Sequence, residues 1–509
     1  MSFLLGSILT VVLATESTKP FAIEVVDRET GRGVPLVELE TVNHLRLYTD
    51  SNGLAAFREP GLMDQKIFFY VKSHGYEYPK DGFGFRGKAL EVSPGGSGRL
   101  EIDRINIARR LYRVTGEGIY ADSVLLGRPT PLRQPLLNGQ VLGCDSVQNA
   151  VYHGKLYWFW GDTLRPAYPL GNFKMTGATS ELPGQGGLDP EVGVDLNYFL
   201  DASGFVKSMA PLDSPGPVWV EGVVVLRDKT NRERMFAYYE KIRGTADSFS
   251  TAERGLVEFD DQSNAFRHVV TFPMQGPFPS GGHPLLHREG ETEYVYFCDP
   301  FPRIRVRAKP EALKKPASYE AYTCLAPGSR LDEQRWDRAP DGTLRWAWKA
   351  DTEGVGPAEV SKLVQAGRIG EAESPFRLRD VQSGKPVLAH RGTVAWNDYR
   401  RRWVMIFCEM MGTSMLGEIW YAEADSLLGP WSPARKIVTH DRYSFYNPRH
   451  HPYFDQQGGR IIYFEGTYTQ TFSGNPVATP RYDYNQIMYQ LDLADPRLQL
   501  PPAEAEKRK

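Results

Sequence analysis

From Pro20 to Leu100 apolar and polar residues alternate in short runs: "FAIEVVD", "VPLVELET", "LRLYTD", "LAAFRE", "KIFFYVKS" and "ALEVS". A period of two sends one face of each run inward and the other outward, the mark of a half-buried strand. Thr30-Gly31, Ser51-Asn52-Gly53 and Pro94-Gly95-Gly96 punctuate the runs as turns. The spacing predicts a β-sandwich over residues 19–105.

A longer unit repeats from Gly139 onward. "VQNAVYHGKLYWFWGDT" reads as strand, turn and apolar strand ending in Asp162. The same plan recurs in four further hairpins, which end in Glu240, Asp299, Glu409 and Glu465. Outer-strand material such as "RGLVEFDDQSNAFRHVVTF" and "GEIWYAEADSLLGPWSPARKIV" follows each of them. Two inner and two outer strands make a propeller blade. The pattern therefore predicts an all-β chain, a five-bladed β-propeller over 139–497 with an N-terminal β-sandwich. Residues 106–138 would be a linker with a ring-closing strand, and 498–509 a polar tail. Only Pro357 to Ile369 carries helical periodicity, with Val360, Leu363 and Val364 on one side.

Composition agrees and removes several classes. A chain of 509 residues exceeds one small core, and 49 Gly with 37 Pro imply many turns. Sixty basic against 62 acidic residues leave no basic footprint for nucleic acid or an anionic membrane. The apolar run Phe3 to Ala14 has signal-peptide length and is too short to span a bilayer. It predicts export, to the exterior or the periplasm, with 1–18 removed and no membrane span left. Cys144, Cys298, Cys324 and Cys408 show no CxxC spacing, so neither zinc nor redox chemistry is indicated. Nucleophilic serine motifs, phosphate loops and dinucleotide fingerprints are missing too; "GQGG" and "PGGSG" are turns.

The repeated acid is the chemical signal. A carboxylate closing an apolar strand is costly if dry and unpaired. In a propeller the inner strands line a wet channel whose ends converge on a funnel, so the cost need not be met. The acids would otherwise be staples between blades. The inner strands open on Asp145, Glu221, His283, Arg391 and the pair His450-His451, which predicts a polar pocket. Asp145 and Asp162, on paired strands, would couple their ionisation. Glu221, among apolar residues in "VWVEGVVV", would stay protonated as a general acid. One ionised and one protonated carboxyl across a sugar-sized pocket is the equipment of glycoside hydrolysis, their separation deciding between retention and inversion. Catalytic candidates are thus Asp145, Asp162 and Glu221. His283, Asp299, Arg391, Glu409, Asn447, His450, His451, Glu465 and Arg481 are candidates for binding substrate. Asn447, Arg449 and the two histidines, helped by Arg391 and Arg481, would suit hydroxyls or an anionic uronate or sulfate. Tyr157, Trp158, Trp160, Trp219, Tyr239 and Tyr446 would suit sugar faces, or simply pack between blades. No cofactor is required.

Two resemblances extend this reading. "VVDRETGRGVPLVELET" with "YTDSNGLAAF" resembles the transthyretin-like or carboxypeptidase-regulatory-like accessory domains of secreted proteins, which implies a packing module. Asp145, "WFWGDT" and "GEIWYAEADSLLGPW" resemble the five-bladed propeller glycosidases, the arabinanases, furanosidases, levansucrases and invertases; "GDT" and "GPW" also look like the endo-D-arabinanase-like branch. The resemblance implies that Asp145 is base or nucleophile, with Glu221 as partner and Asp162 competing for that role. The third blade departs from the pattern: it offers His283 and Asp299 where the family commonly has its acid, which leaves the general acid open. Related propellers can carry a calcium or other ion in the channel, although adjacent histidines on a strand point to opposite sides. The expected function is an exported glycoside hydrolase acting on a polysaccharide or oligosaccharide. Its rivals are a non-catalytic propeller that binds glycan or protein, and a lyase or phosphorylase on the same scaffold.

Overall fold

Two sheets account for most of the chain between Phe21 and Asp103. Phe21–Asp27 pairs antiparallel with Leu54–Phe57 and parallel with Ser97–Arg104. Glu38–Thr41 pairs with Arg46–Tyr48 and with Lys66–Lys72, which in turn pairs with Gly87–Glu91. Phe57 of one sheet meets Phe69 of the other edge-on at 5.2 Å, and Ile23, Val25, Leu39 and Phe69 are fully buried. Ser97–Arg104 lies outside the six predicted runs; Leu100 and Ile102 are its buried positions. Residues 121–129, expected as linker, fold with this unit. There Asp122 accepts from the Ala56 amide at 2.9 Å and Asp50 from the Ser123 amide at 2.6 Å. The computed structural model describes residues 19–245, 248–279, 281–431, 433–440, 442–479 and 483–501. The apolar leader, Arg481 and the end of the polar tail lie outside them.

The second unit is a ring of five antiparallel sheets, with a small sixth sheet of Gly143–Cys144, Thr163–Arg165 and Tyr168–Asn172 beside the first. Blade 1 runs through Val147–Tyr152, Lys155–Trp160, Thr176–Ser180 and Asn197–Tyr198; blade 2 through Val218–Arg227, Glu233–Thr245, Ser248–Asp260 and Ala265–Phe272. Blade 3 contains His283–Glu289, Thr292–Cys298, Pro302–Arg307, Glu320–Thr323 and Ala347–Ala350. Blade 4 contains Ala389–Asn397, Arg402–Glu409, Glu418–Ala424 and Ala434–Thr439. Blade 5 is Ser444–His450, Ile461–Thr469 and Asn485–Asp492, completed by Arg109–Arg113 from ahead of blade 1. That borrowed strand ties the start of the unit to its end. The first strand of each blade adjoins the first strand of the next. Blades 5 and 1 meet through Ser146 N–H to Thr467 Oγ1 at 2.9 Å and Arg449 Nη2 to the Asn149 carbonyl at 2.7 Å. This is the all-β propeller arrangement.

The blades pack through aromatic layers. Trp158 and Trp160 are fully buried with rings near parallel; Trp158 also lies against His451 and Phe454, and Trp160 against Tyr198. Truncating such a side chain costs about 3–5 kcal/mol, so these tryptophans serve the core and not a sugar. Helix Pro357–Gln365 begins with proline in its first turn and Glu359 bonded back to the Gly356 amide at 3.0 Å. It stops short of Ile369 because Gly367 turns left-handed (φ +65°).

Asp162, Asp299 and Glu409 do close their strands. Glu240 and Glu465 lie inside theirs, which continue to Thr245 and Thr469. Strand formers follow both acids, and Gly466-Thr467-Tyr468-Thr469 is paired throughout. The inner strand of blade 5 likewise opens on Ser444, so His450 and His451 stand at its far end.

Candidate active site

Pairing breaks at the mouths of the inner strands, and the polar residues sit at the breaks. Register shifts fall between Glu221 and Val224, between Ala389 and Gly392, and between Tyr446 and Arg449. These bracket Glu221, Arg391 and Asn447; Gly222 and Asn447 are left-handed at φ +65° and +50°. A bulge bends the strand and re-aims a side chain, here toward the ring's centre. In blade 1 the Asp145 amide donates to the Asp162 carbonyl at 2.9 Å while the Gly161 amide donates to the Asp145 carbonyl at 2.7 Å. Asp145 therefore faces Gly161 and Asp162 together.

The two aspartates have unlike surroundings. Asp145 Oδ1 accepts from Ser146 Oγ at 2.6 Å and from the Tyr446 hydroxyl at 2.7 Å. Burial raises its carboxyl above the ordinary value; the two hydroxyls and the charge of Arg391 oppose the rise. Among the described residues Asp162 accepts only from Trp219 Nε1, at 3.4 Å. Burial, then the charge of Asp145, pushes it up to about 7. The pair thus favours one ionised and one protonated member, Asp145 holding the charge where the donors are.

Glu221 has the raised carboxyl expected of it but not the apolar surroundings. Its Oε1 accepts from Arg391 at 2.7 Å and its Oε2 from the Gly282 amide at 3.1 Å. Burial raises the carboxyl and Arg391 opposes it. With a donor on each oxygen the ionised form is the satisfied one, and Arg391, beside Glu221, is held firmly charged. Asp299 lies 3.8 Å from Arg391 Nε and 3.7 Å from Arg303. Gly281 permits the packing, since a Cβ there would stand 2.6 Å from Glu221 Oε2. Asn447 joins the group by donating from Nδ2 to Ser146 Oγ at 2.5 Å. All five blades meet here: Asp145 and Asp162, Glu221, Asp299, Arg391, and Tyr446 with Asn447.

Six other candidates lie apart. Glu409 turns to its own blade, accepting from Trp420 Nε1 at 2.8 Å. Burial raises its carboxyl. His450 bonds Asp455 at 2.8 Å. His451 and Glu465 are fully buried on blade 5, with Nε2 and Oε1 at 3.2 Å. Arg449 is spent on His283 Nδ1 and the Asn149 carbonyl. It does not reach the mouth as an anion receptor. His283, buried beside Arg449, is driven far below its ordinary pKa by burial first and by that charge second, and is neutral.

The axial group does not fit a channel cation. One carboxyl and one imidazole face each other, Arg449 raises the positive potential there, and burial pushes Glu465 up to about 8, toward its neutral form. Among the described residues no cluster of three or more His, Cys, Asp or Glu could hold a metal ion.

A cavity of about 730 Å³ lies elsewhere, among Tyr152, His153, Asn231, Arg232 and Asp261 at the opposite ends of blades 1 and 2. It brings together no coupled acid pair, and its Arg227 is paired with Glu233 at 2.8 Å.

No family model and no curated protein matches this chain. Solved structures do. An exo-β-1,3-galactanase from Phanerochaete chrysosporium with β-1,3-galactotriose is 11% identical over 77% of this chain and 67% of that one, TM-score 0.35. A GH43 enzyme from Xanthomonas citri complexed with xylotriose is 12% identical over 70% and 88%, TM-score 0.32. An α-L-arabinofuranosidase from Clostridium thermocellum is 11% identical over 68% and 88%, TM-score 0.32.

Sequence reasoning passed over Ser146 and the Gly281-Gly282 step. It weighed Tyr446 and Trp219 as sugar platforms or as packing between blades, whereas both bond the aspartates. A signal was present: glycine straight after a polar residue in a strand, as in Glu221-Gly222 and Arg391-Gly392, marks a bulge.

Proposed function

We propose that the chain is a glycoside hydrolase whose working pair is Asp145 and Asp162. One observation carries this. The two acids share one irregular step of the blade 1 hairpin, and of the two, among the described residues, only Asp145 accepts from hydroxyl donors. Asp162 holds the proton and delivers it to the departing glycosidic oxygen. Asp145, ionised, stabilises the developing oxocarbenium charge and acts as base toward water or as nucleophile. Glu221, held by Arg391 and the Gly282 amide, forms the opposite wall and can accept from sugar hydroxyls. Because Arg391 is matched by Glu221 and Asp299, the site is suited to neutral sugars over uronates or sulfated ones. A lyase would need a free cation for the uronate, and Arg391 is not free. The apolar run from Phe3 to Ala14 supports export of the enzyme.

The test is reducing-end release from a panel of furanoside and pyranoside polymers. Asp145→Asn and Asp162→Asn should each lose about 10²-fold or more in rate. A wild type that binds a glycan column and cleaves none of the panel would make this a binding propeller instead. Wild-type rates in both variants would remove the pair from the chemistry.

A further inference from the structure

We propose that Phe249 and Phe472 are sugar platforms flanking the acid pair, so that the site takes an internal stretch of a neutral polysaccharide. This deepens the hydrolase reading and rests on it. Single exposed apolar residues are ordinary. These two share a placement that is not. Phe249, 51% exposed, stands edge-on to Trp219 with centroids 5.8 Å apart, and Trp219 Nε1 points to Asp162. Phe472, 53% exposed, stands edge-on to Tyr446 at 5.8 Å, and the Tyr446 hydroxyl donates to Asp145. Each half-exposed ring thus leans on the aromatic that contacts one of the two acids. One comes from blade 2 and the other from blade 5, the two neighbours of blade 1, so the rings flank the pair.

The backbone adds a second observation. Phe472 is left-handed, φ +65°, in the turn closed by Ser473 N–H to the Gln470 carbonyl at 3.0 Å. Glycine would take that conformation freely, and a bulky side chain there is strained. The strain is not offset by burial, since half of the ring remains in water. Phe249 lies on the part of the blade 2 hairpin that runs past the start of the inner strand, opposite Gly244. Both rings offer an apolar face to a ligand that already has hydroxyl partners on the acids. Sugars have that double character, with C–H faces and hydroxyl edges. Two platforms engage a ring on each side of the cleaved bond, and a chain running past both is the ligand that uses both half-exposed faces. Arg391, matched by acids, selects a neutral chain.

The experiment is affinity electrophoresis of the Asp145→Asn protein in gels containing arabinan, β-1,3-galactan or β-1,4-xylan. The parent should be retarded by one of them, and Phe249→Ala and Phe472→Ala should each weaken that retardation about tenfold. Phe249→Trp and Phe472→Tyr should keep it. Wild type on the same polymer should lower viscosity early, as mid-chain cutting does. Equal retardation of parent and Ala variants overturns the platforms, as does a parent retarded by no polymer. Binding lost in both Ala variants without any reducing-end release by wild type upholds the platforms and overturns the hydrolase. Reducing-end release that both Ala variants match does the reverse.

Discussion

Replacing Asp162 with asparagine removes its titration and changes little else. The amide keeps the size of the side chain and an acceptor for Trp219 Nε1, now 3.4 Å from Oδ1. In the folded protein the carboxyl is carried from an ordinary 3.8 to about 7, first by burial and then by Asp145. At about 1.36 kcal/mol per pH unit this is a linkage worth at most about 4 kcal/mol, and about 2–4 once solvent at the mouth is allowed for. The sign is definite. Between the two values the folded chain holds a proton that the unfolded chain has released. The contribution is full below the ordinary value and is lost as pH rises through about 7.

Urea unfolding of wild type and Asp162→Asn, near about pH 4.5 and again near about pH 8.5, reads that group together with its coupling to Asp145, because the titrations away from the pair are common to both proteins. The variant should gain about 2–4 kcal/mol on wild type between those conditions. Hydrolysis supplies the second reading. Loss of a general acid costs about 10²–10⁴-fold on a polymer whose leaving group needs the proton. It costs little on a dinitrophenyl glycoside whose leaving group does not. A stability gap that ignores pH would refute the burial and coupling of Asp162. Equal losses on both substrates would refute its role as acid.

Tyr446→Phe takes a donor from Asp145 worth about 1.5–3 kcal/mol when the acceptor is charged. kcat/KM should fall about ten- to hundredfold, with the acid limb of the pH profile moving to higher pH because the ionised form has lost support. Arg391→Met leaves Glu221 and Asp299 unmatched in a partly buried group, for a loss of about 2–4 kcal/mol in thermal unfolding. Adding Glu221→Gln should recover part of it in a double-mutant cycle. Glu465→Gln removes a buried carboxyl pushed up to about 8, whose contribution is full below its ordinary value and lost as pH rises through 8. The variant should match wild type in mild acid and be about 2–4 kcal/mol more stable in alkali by urea unfolding.

Much of the ring was legible because a hairpin is a local object. Alternation and a tight turn place two strands side by side whatever the rest of the chain does, and Asp145 with Asp162 belongs to one such hairpin. The partner of Glu221 was not legible. Arg391 lies 170 residues away and reaches it only because the ring closes. No periodicity within blade 2 announces a guanidinium from blade 4, so an apolar setting was the natural local reading of "VWVEGVVV".

The five terminal acids show where one-dimensional equivalence ends. Height along the axis is set by the offset between an acid and the end of its strand. Glu465 pairs with Arg449 and stands two residues before Thr467, the partner of Tyr446, which at about 3.3 Å each puts it about 7 Å below the mouth. There it meets His451 rather than a substrate. Asp299 is followed at once by Pro300, which cannot continue a central ladder, and it stands beside Arg391 at the opening. Even equal height is not enough, because alternation decides the face. Glu409 closes its strand and still turns outward to Trp420. An acid at a blade's end therefore belongs to the site only when three conditions meet: strand pairing is interrupted there, the residue lies on the inward face, and a neighbouring inner strand supplies a partner to it or to the acid beside it. Asp162 and Asp299 meet the first two from their own hairpins. The third is a property of the closed ring, and it is what brings Arg391 and Tyr446 to their carboxylates.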